Sequence, residues 1–258
     1  MSLIHATAII DPRAEIADGV EIGPYSIIGA DVVIGADTWV GPHVVISGPT
    51  RIGQRNRIYQ FASVGADCQD KKYRGEPTRL EIGDDNVIRE SCSLHRGTIQ
   101  DNSLTKIGSR NLLMVNSHIA HDVIVGDDNI IANNAGIAGH VVIGDSVIIG
   151  GNSGIHQFCR IGSYAMLGGG TTLFKDVPAY VMASGNPAIP RGMNFEGMKR
   201  KGWSSETINA LRKAYKAVYR DGLTLEEAYA PLAELAAKTP EVQLFIDTLR
   251  ASTRGIIR

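Results

Sequence analysis

The sequence predicts a mainly β protein, a parallel β-helix of hexapeptide repeats followed by a small C-terminal α-helical domain. Three observations carry this. From Val125 to Leu167 every sixth residue is aliphatic and the next is usually small, as in Val125-Gly126, Ile131-Ala132, Ile137-Ala138 and Ile143-Gly144. Four places after each aliphatic stands a small or β-branched residue, such as Asn129, Ala135, Val141 or Val147. After Pro178 the period of six stops and helical spacings take over. A helix repeats near 3.6 residues and a flat strand every two, so neither produces a period of six. One short strand plus a corner does.

The register begins at Ile4 and runs through Ile10, Ile16, Ile22, Ile28, Ile34, Val40, Ile46, Ile52 and Ile58 to Val64. It breaks over residues 67–79, resumes at Ile82, Ile88 and Leu94, breaks again over 100–106, and restarts one residue out of phase at Ile107. Repeat proteins place insertions on their surface, commonly on a binding face, so both interruptions are candidate functional loops. The stretch 179–192, with two prolines and two glycines, reads as a linker. Three helices follow. The first has Ser204 as N-cap, sets Ile208, Leu211, Tyr215, Val218 and Tyr219 on one face, and stops at Asp221-Gly222. The second opens with the capping box Thr224-x-x-Glu227 and should kink at Pro231. The third takes Thr239 as cap with Pro240 at its first position and ends near Gly255. The expected domains are 1–190, a β-helix with insertions near 67–79 and 100–106, and 191–258, helical.

Composition narrows the function classes. At 258 residues and 43% apolar content the chain can bury a substantial core, and a net charge of −1 gives no global field for nucleic acid or an anionic membrane. The first residues show no basic start followed by an apolar run, and no stretch approaches membrane-spanning length. Three cysteines cannot all pair, and Cys92 and Cys159 fall at the small inward position of their hexads, which fits core packing in a reducing compartment. The cytoplasm is the expected location.

Three hexads make one triangular coil, so residues eighteen apart should stack at ~4.8 Å. His121 then carries Gly139, Gln157 and Lys175 above it, Asp122 carries His140, and His118 lies under Gly136 and Gly154. A surface histidine is ordinarily a solvated side chain, and glycine is a common corner residue in such repeats. The cluster is what points to chemistry. His118-Ile-Ala-His121-Asp122 beside Gly139 assembles a general base, a carboxylate to orient it and a backbone N–H for an oxyanion, the parts of an acyl-transfer site. The rival is a zinc site of converging imidazoles, as in γ-class carbonic anhydrases, although a hydratase of so small a substrate hardly needs the helical domain. A pure scaffold would need neither the cluster nor the interruptions. Between Arg191 and Arg220 eight Lys and Arg stand against Glu196 and Glu206, which suits an acidic partner or phosphate groups, or else a solvated helix face.

The loop Gln69-Asp70-Lys71-Lys72-Tyr73-x-Gly75-Glu76-Pro77-Thr78 and the string Leu94-His95-Arg96-Gly97-Thr98 resemble the UDP-N-acetylglucosamine O-acyltransferase family. So do His118-Ile-Ala-His121-Asp122, Ala138-Gly139-His140, Ile155-His156-Gln157-Phe158-Cys159, Gly185-Asn186, Met193-Asn194-x-Glu196-Gly197 and Ser252-Thr253-Arg254-Gly255. The resemblance runs essentially end to end. It implies a left-handed β-helix, an exception to the right-handed crossover rule. It also implies a homotrimer with sites between subunits, and transfer of a 3-hydroxyacyl group from acyl carrier protein to the sugar 3-hydroxyl of UDP-N-acetylglucosamine, the first step of lipid A biosynthesis. No cofactor, metal, nucleic acid or membrane insertion is implied. By matching position, His121 is the general base, Asp122 its orienting carboxylate and Gly139 the oxyanion donor. Asp70, Lys72, His118, His140, Gln157, Asn194, Glu196 and Arg200 hold the nucleotide sugar, and His95 and His156 line the same cleft. Gly169 matches the position that measures the acyl chain, so glycine implies a deep groove and a long chain. Lys201 stands where the family often has a second arginine, keeping the charge but losing a bidentate fork. The basic helical segment would dock the acidic carrier protein. The runners-up are the related N-acyltransferase, which carries an extra N-terminal domain where the hexads here begin at Ile4, and a coenzyme A-dependent acetyltransferase.

Overall fold

In the computed structural model residues 3–258 are described. Most strands are two residues long, with the second residue turned inward and the first outward, as in His118–Ile119. They stack into three sheets of eleven, nine and eight strands, parallel except for the last strand of the first, and these are the faces of a triangular prism. We call these the first face (from Leu3–Ile4), the second (from Ile9–Ile10) and the third (from Glu15–Ile16). Register advances eighteen residues per coil, as in Ile10↔Ile28 and Ile119↔Ile137. The two interruptions are additions to single coils. Ile58 pairs with Ile88, thirty residues on, and Ile88 pairs with Leu113, twenty-five on, so the coils carry twelve and seven extra residues. Arg79, expected in the first interruption, already belongs to the strand Arg79–Ile82.

The interior is a set of ladders. Ile22, Val40, Ile58, Ile88, Leu113, Ile131, Ile149 and Leu167 stack with almost no exposure. The small inward column holds a second ladder of buried Asn56, Asn86, Asn111 and Asn129. Each Oδ1 accepts the next rung's backbone N–H at 2.8 to 2.9 Å, and Asn129 Oδ1 accepts from Val147 N–H at 2.7 Å. These bonds tie successive coils together across the place where a strand ladder ends. The corners turn through left-handed backbone. Tyr25, Asp122, His140 and Phe158 have φ of 59°, 59°, 63° and 66°, like many non-glycine corner residues of the prism. This conformation, unusual elsewhere, is therefore part of the repeat and not a mark of the site.

Several expectations for the C-terminal part are corrected. Residues 179–192 are not a linker. Val181–Ser184 continues the first face, and Ile189–Met193 folds back antiparallel to it as a hairpin that closes the prism. The boundary expected at 190/191 therefore falls inside a strand. Helix α1, Phe195–Arg200, was not expected and is capped by Asn194, whose Oδ1 accepts from Gly197 N–H at 3.0 Å. Helix α2, Ser205–Tyr219, has the Ser204 cap, and α3, Leu225–Ala236, has the full capping box and runs on through Pro231. Helix α4, Glu241–Arg250, begins after Pro240 with no side-chain cap, so Thr239 does not serve, and it ends before Gly255.

The helices seal the end of the prism. Tyr180 Oη donates to the Glu241 carbonyl at 3.0 Å, Ala179 N–H to Thr248 Oγ1 at 3.0 Å, and Ser252 Oγ to Asp176 at 2.6 Å. The buried side chains of both parts form one continuous core. Among the described residues no helix is long and apolar enough to cross a membrane.

Candidate active site

The corner between the second and third faces carries the histidines. His118 opens a second-face strand and bonds Ser93 Oγ through Nδ1 at 2.8 Å. His95, one coil earlier, meets it edge-on with ring centroids 4.8 Å apart. His95 is 6% exposed, and burial, reinforced by the neighbouring His118, pushes its pKa down to about 4. Burial also lowers His118. Both rings are therefore neutral at physiological pH, able to donate from one nitrogen and accept at the other. Gly136 and Gly154 stack on His118 with nothing within 4 Å of where a Cβ would sit, which leaves an open floor.

His121 follows at the corner. Its Nδ1–H donates to Asp122 Oδ2 at 2.9 Å, which leaves Nε2 as the free ring nitrogen. The Asp122 side chain is fully buried. Burial opposes its charge, but hydrogen bonds from His121 and from Thr98 outweigh this and hold the carboxyl below its ordinary pKa. Thr98 gives its N–H to both carboxylate oxygens, at 2.9 and 3.0 Å, and its hydroxyl to Oδ2 at 2.6 Å. A Cβ on Gly139 would fall 2.5 Å from His121 Cε1, so only glycine fits above the imidazole. The Gly139 N–H donates to no protein group among the described residues. His121 and Gly139 line one groove of about 710 Å³ with Asp70, His118, His156 and Gln157.

His140 stands behind this groove. It stacks on Phe158 at 4.4 Å, meets His121 edge-on at 5.0 Å, and donates from Nδ1 to Asp101 Oδ2 at 3.0 Å. His121, Asp122 and His140 bring donor atoms within 4.8 Å of one another, a spacing that could hold a metal. The Nδ1 atoms of His121 and His140 and the Asp122 carboxylate are engaged in hydrogen bonds with Asp122, Asp101 and Thr98 respectively. This network leaves His121 Nε2 free.

The first insertion supplies Asp70, whose Oδ1 accepts from Lys72 N–H at 2.8 Å, with Lys72 itself exposed. Arg96 clamps this loop. Its largely buried guanidinium donates to the Gly48 and Gly65 carbonyls at 2.8 and 2.6 Å, to Tyr73 Oη at 3.1 Å and to Asp67. Sequence reasoning assigned no role to Arg96, Thr98 or Asp101. The available signals were the family-like string that contains Arg96 and Thr98, and the place of Asp101 in the second interruption.

One chain does not gather every expected residue. Asn194, Glu196 and Arg200 lie on or beside α1, at the corner between the third and first faces. There Asn194 Nδ2 donates to the Tyr164 carbonyl at 3.2 Å and Lys201 reaches Ser146 Oγ at 2.8 Å. Glu196 pairs with Lys199 at 2.8 Å. Gly169 occupies the third corner, between the first and second faces, over Gly151. None of these four lines the groove of His121.

Comparison with known proteins agrees with this architecture. Residues 176–257 match the family described as Udp N-acetylglucosamine O-acyltransferase, domain 2. Residues 1–36, 31–66, 104–139 and 140–175 match the six-repeat bacterial transferase hexapeptide. An acyl-[acyl-carrier-protein]–UDP-N-acetylglucosamine O-acyltransferase of Psychrobacter sp. (strain PRwf-1) is 64% identical over 100% of both chains. One from Stutzerimonas stutzeri (strain A1501) is 58% identical, again over 100% of both. The solved structure of LpxA from Acinetobacter baumannii has a TM-score of 0.97 at 65% identity, covering 99% of this chain and 100% of that one. The UDP-N-acetylglucosamine O-acyltransferase of Moraxella catarrhalis RH4 has a TM-score of 0.98 at 59% identity, covering 99% of each. The left-handed β-helix is shared with these neighbours. With full-length identity at this level and the same fold throughout, the chain belongs to the UDP-N-acetylglucosamine O-acyltransferase family.

Proposed function

We propose that this protein transfers a 3-hydroxyacyl group from acyl carrier protein to the 3-hydroxyl of UDP-N-acetylglucosamine, the first step of lipid A biosynthesis. The observation that carries the reading is the His121–Asp122 pair, with Nε2 free in a groove that also holds the unengaged Gly139 N–H. The sugar hydroxyl gives its proton to Nε2 as its oxygen bonds to the thioester carbonyl carbon. Negative charge collects on the carbonyl oxygen, where the Gly139 N–H donates to it. Collapse re-forms the carbonyl, breaks the carbon–sulfur bond and expels the thiolate, which takes the proton back from His121. Asp122 keeps Nδ1 protonated throughout, so Nε2 is the basic nitrogen. Asp70, His118 and Gln157 face the nucleotide sugar, with Lys72 beside them in the loop. His95 and His156 line the cleft, and His140 braces His121 from behind.

The site is completed by a neighbouring copy in a homotrimer. Asn194, Glu196, Arg200 and Gly169 stand at other corners, beyond the reach of His121 in the same chain. Apolar surface supports the assembly. Ile9 (64% exposed), Ile27 and Val45 run up the second face, flanked by the stacked Tyr25, His43 and Phe61. On the first face Leu112, Ile130, Ile148, Met166 and Met182 point outward in one column that passes beside Gly168–Gly170. An apolar strip of this length asks for cover, and a long acyl chain lying between two subunits supplies it, with Gly169 at its far end. Lys213 and Lys216 on the exposed face of α2 would receive the acidic carrier protein. Both substrates are water-soluble and the three cysteines are free and buried, so the cytoplasm is the proposed compartment.

Two experiments test this. The purified protein with UDP-N-acetylglucosamine and a panel of acyl carrier proteins should yield the 3-O-acyl sugar nucleotide by mass spectrometry. His121→Ala and Asn194→Ala chains, each inactive alone, should regain turnover when unfolded together and refolded as mixed trimers. No recovery, with mixed trimers formed, would mean that both residues serve a site within one chain.

A further inference from the structure

We propose that Thr98 is a positioning residue for the transfer reaction, holding Asp122 in the one orientation that keeps His121 a base. The inference rests on the general-base reading of His121 given above. Asp122 sits at a left-handed corner like Asp128. Asp128 is exposed there and pairs with Arg110, whereas the Asp122 carboxylate turns inward and has no solvent contact. Nothing in the regular coil would hold it there. What does is the second insertion, which closes on Asp122 from both of its ends.

At its start, Gly97 lies so close to the returning chain that a Cβ would be 2.2 Å from Leu104 N, so glycine is required for the loop to leave the coil tightly. The next residue, fully buried Thr98, then places two donors on one carboxylate. The hydroxyl bond to Oδ2, at 2.6 Å, has the length of a charge-assisted O–H···O⁻ bond. Oδ2 is the same oxygen that accepts the Nδ1–H of His121 at 2.9 Å. At the far end, buried Thr105 accepts the Asp122 backbone N–H through Oγ1 at 2.8 Å. Side chain and backbone of Asp122 are thus fixed by the two threonines that bracket the loop. With the carboxylate plane set, His121 can bond Oδ2 only with its ring turned so that Nε2 meets the groove.

A buried threonine that only packed would satisfy its hydroxyl on a nearby carbonyl, as Thr50 does on Ser47 at 2.6 Å. Thr98 instead gives its hydroxyl to the ionised group behind the base. The titratable groups around His121 are Asp122 and His140, with Asp101 behind His140 and with His118 and His95 across the groove. Burial holds the last two neutral, and Asp122 is the ionised group bonded directly to the His121 ring.

The test is the pH dependence of steady-state acyl transfer for Thr98→Val and Thr98→Ser. Thr98→Val keeps the shape and the backbone donor but loses the hydroxyl, so kcat should fall about tenfold, the rate equivalent of about 1.4 kcal/mol. KM for the nucleotide sugar should stay within about twofold. A carboxylate with one donor fewer stabilises the imidazolium more, so the acidic limb of kcat/KM should move to higher pH. Thr98→Ser should restore both. In an Asp122→Asn background Thr98→Val should add less than about a twofold loss, because its route to His121 is already cut. Should Thr98→Val fail to fold, Thr98→Cys, a weaker donor of similar size, takes its place. A wild-type kcat and limb in the valine variant, equal losses in valine and serine with the limb unmoved, or full additivity with Asp122→Asn would each overturn the inference. His121→Ala, run alongside, separates the two readings. If it stays active the general-base assignment fails first. If it is dead while Thr98→Val behaves as wild type, only the role of Thr98 falls.

Discussion

Gly139→Ala is the most local perturbation of the groove, and its effect can be worked from distances. The added Cβ would lie 2.5 Å from His121 Cε1, 2.7 Å from Nε2 and 3.0 Å from Nδ1. Ordinary contact begins near 3.4 Å, so the ring must retreat by roughly 1 Å, a displacement that can cost about 10²-fold in rate at a reacting centre. Retreat is resisted because Nδ1 is bonded to Asp122 at 2.9 Å and Asp122 is pinned by Thr98. The backbone N–H is unchanged, so the loss reports the position of the imidazole and not a missing oxyanion donor. The expected result is a fall in kcat of about 10²-fold with sugar binding altered by less than about threefold. Rapid-quench single-turnover acyl transfer measures the step, and calorimetric titration with UDP-N-acetylglucosamine measures binding. Gly136→Ala is the contrast. Its Cβ meets no atom within 4 Å but enters the groove floor, so KM should rise more than kcat falls. A Gly139→Ala enzyme turning over within about twofold of wild type would show that the imidazole has room to move without penalty, and the crowding argument would be wrong.

Reversing charge at Lys213 and Lys216 to glutamate should raise KM for the acyl carrier protein at low salt and leave binding of the nucleotide sugar unchanged. The difference should fade as salt shortens the Debye length below about 8 Å, and unchanged kinetics at low salt would mark this face as merely solvated. At Gly169 a Cβ reaches only ordinary contact, 3.4 Å from Gly151 O, so Gly169→Met should fold. It should favour short over long 3-hydroxyacyl groups in a competition assay, at about 0.8 kcal/mol per methylene displaced, and an unmoved preference would put the end of the groove elsewhere. His95 has a folded pKa of about 4 against 6.5 for the free side chain. The unfolded chain therefore binds the extra proton first, and stability should decline as pH falls from 6.5 toward 4. Thermal melts of His95→Gln should show a shallower decline than wild type over that range; identical slopes would mean that His95 already titrates normally in the folded chain.

The β-helix was legible because its core is one-dimensional. A column with one level every eighteen residues needs an aliphatic at each level, and that requirement is written plainly into Ile119, Ile137 and Ile155. The same arithmetic placed Gly139 on His121 and the glycines on His118. It is silent wherever the chain leaves the column. Asp101 lies in an insertion with no period and Thr98 in the last hexad before it, so nothing in the sequence aims them at His140 and Asp122. Asn194, Glu196, Arg200 and Gly169 were grouped with His121 through resemblance, yet the first three share one corner and Gly169 stands at another, and the period says nothing about which corners meet between copies. The closing hairpin was misread because Pro187, Pro190, Gly185 and Gly192 look like a linker by composition. Val181–Ser184 finds its pairing in Met166–Leu167, a partner that local propensity does not see. The cap expected at Thr239 falls one residue later, at Pro240, which has no side-chain bond to give.

The asparagine ladder bears on how this scaffold can change. The twelve-residue and seven-residue insertions both leave the prism and come back to the same internal column, from Asn56 to Asn86 and from Asn86 to Asn111. Across each detour the amide oxygen of one rung still accepts the backbone of the next, at 2.9 Å in both cases. Loop length is thereby decoupled from coil register. A loop of another length or chemistry can be grafted at either place without shifting a strand above or below it, so the lattice of buried amides is what leaves substrate choice free to drift while the wall that presents it stays fixed.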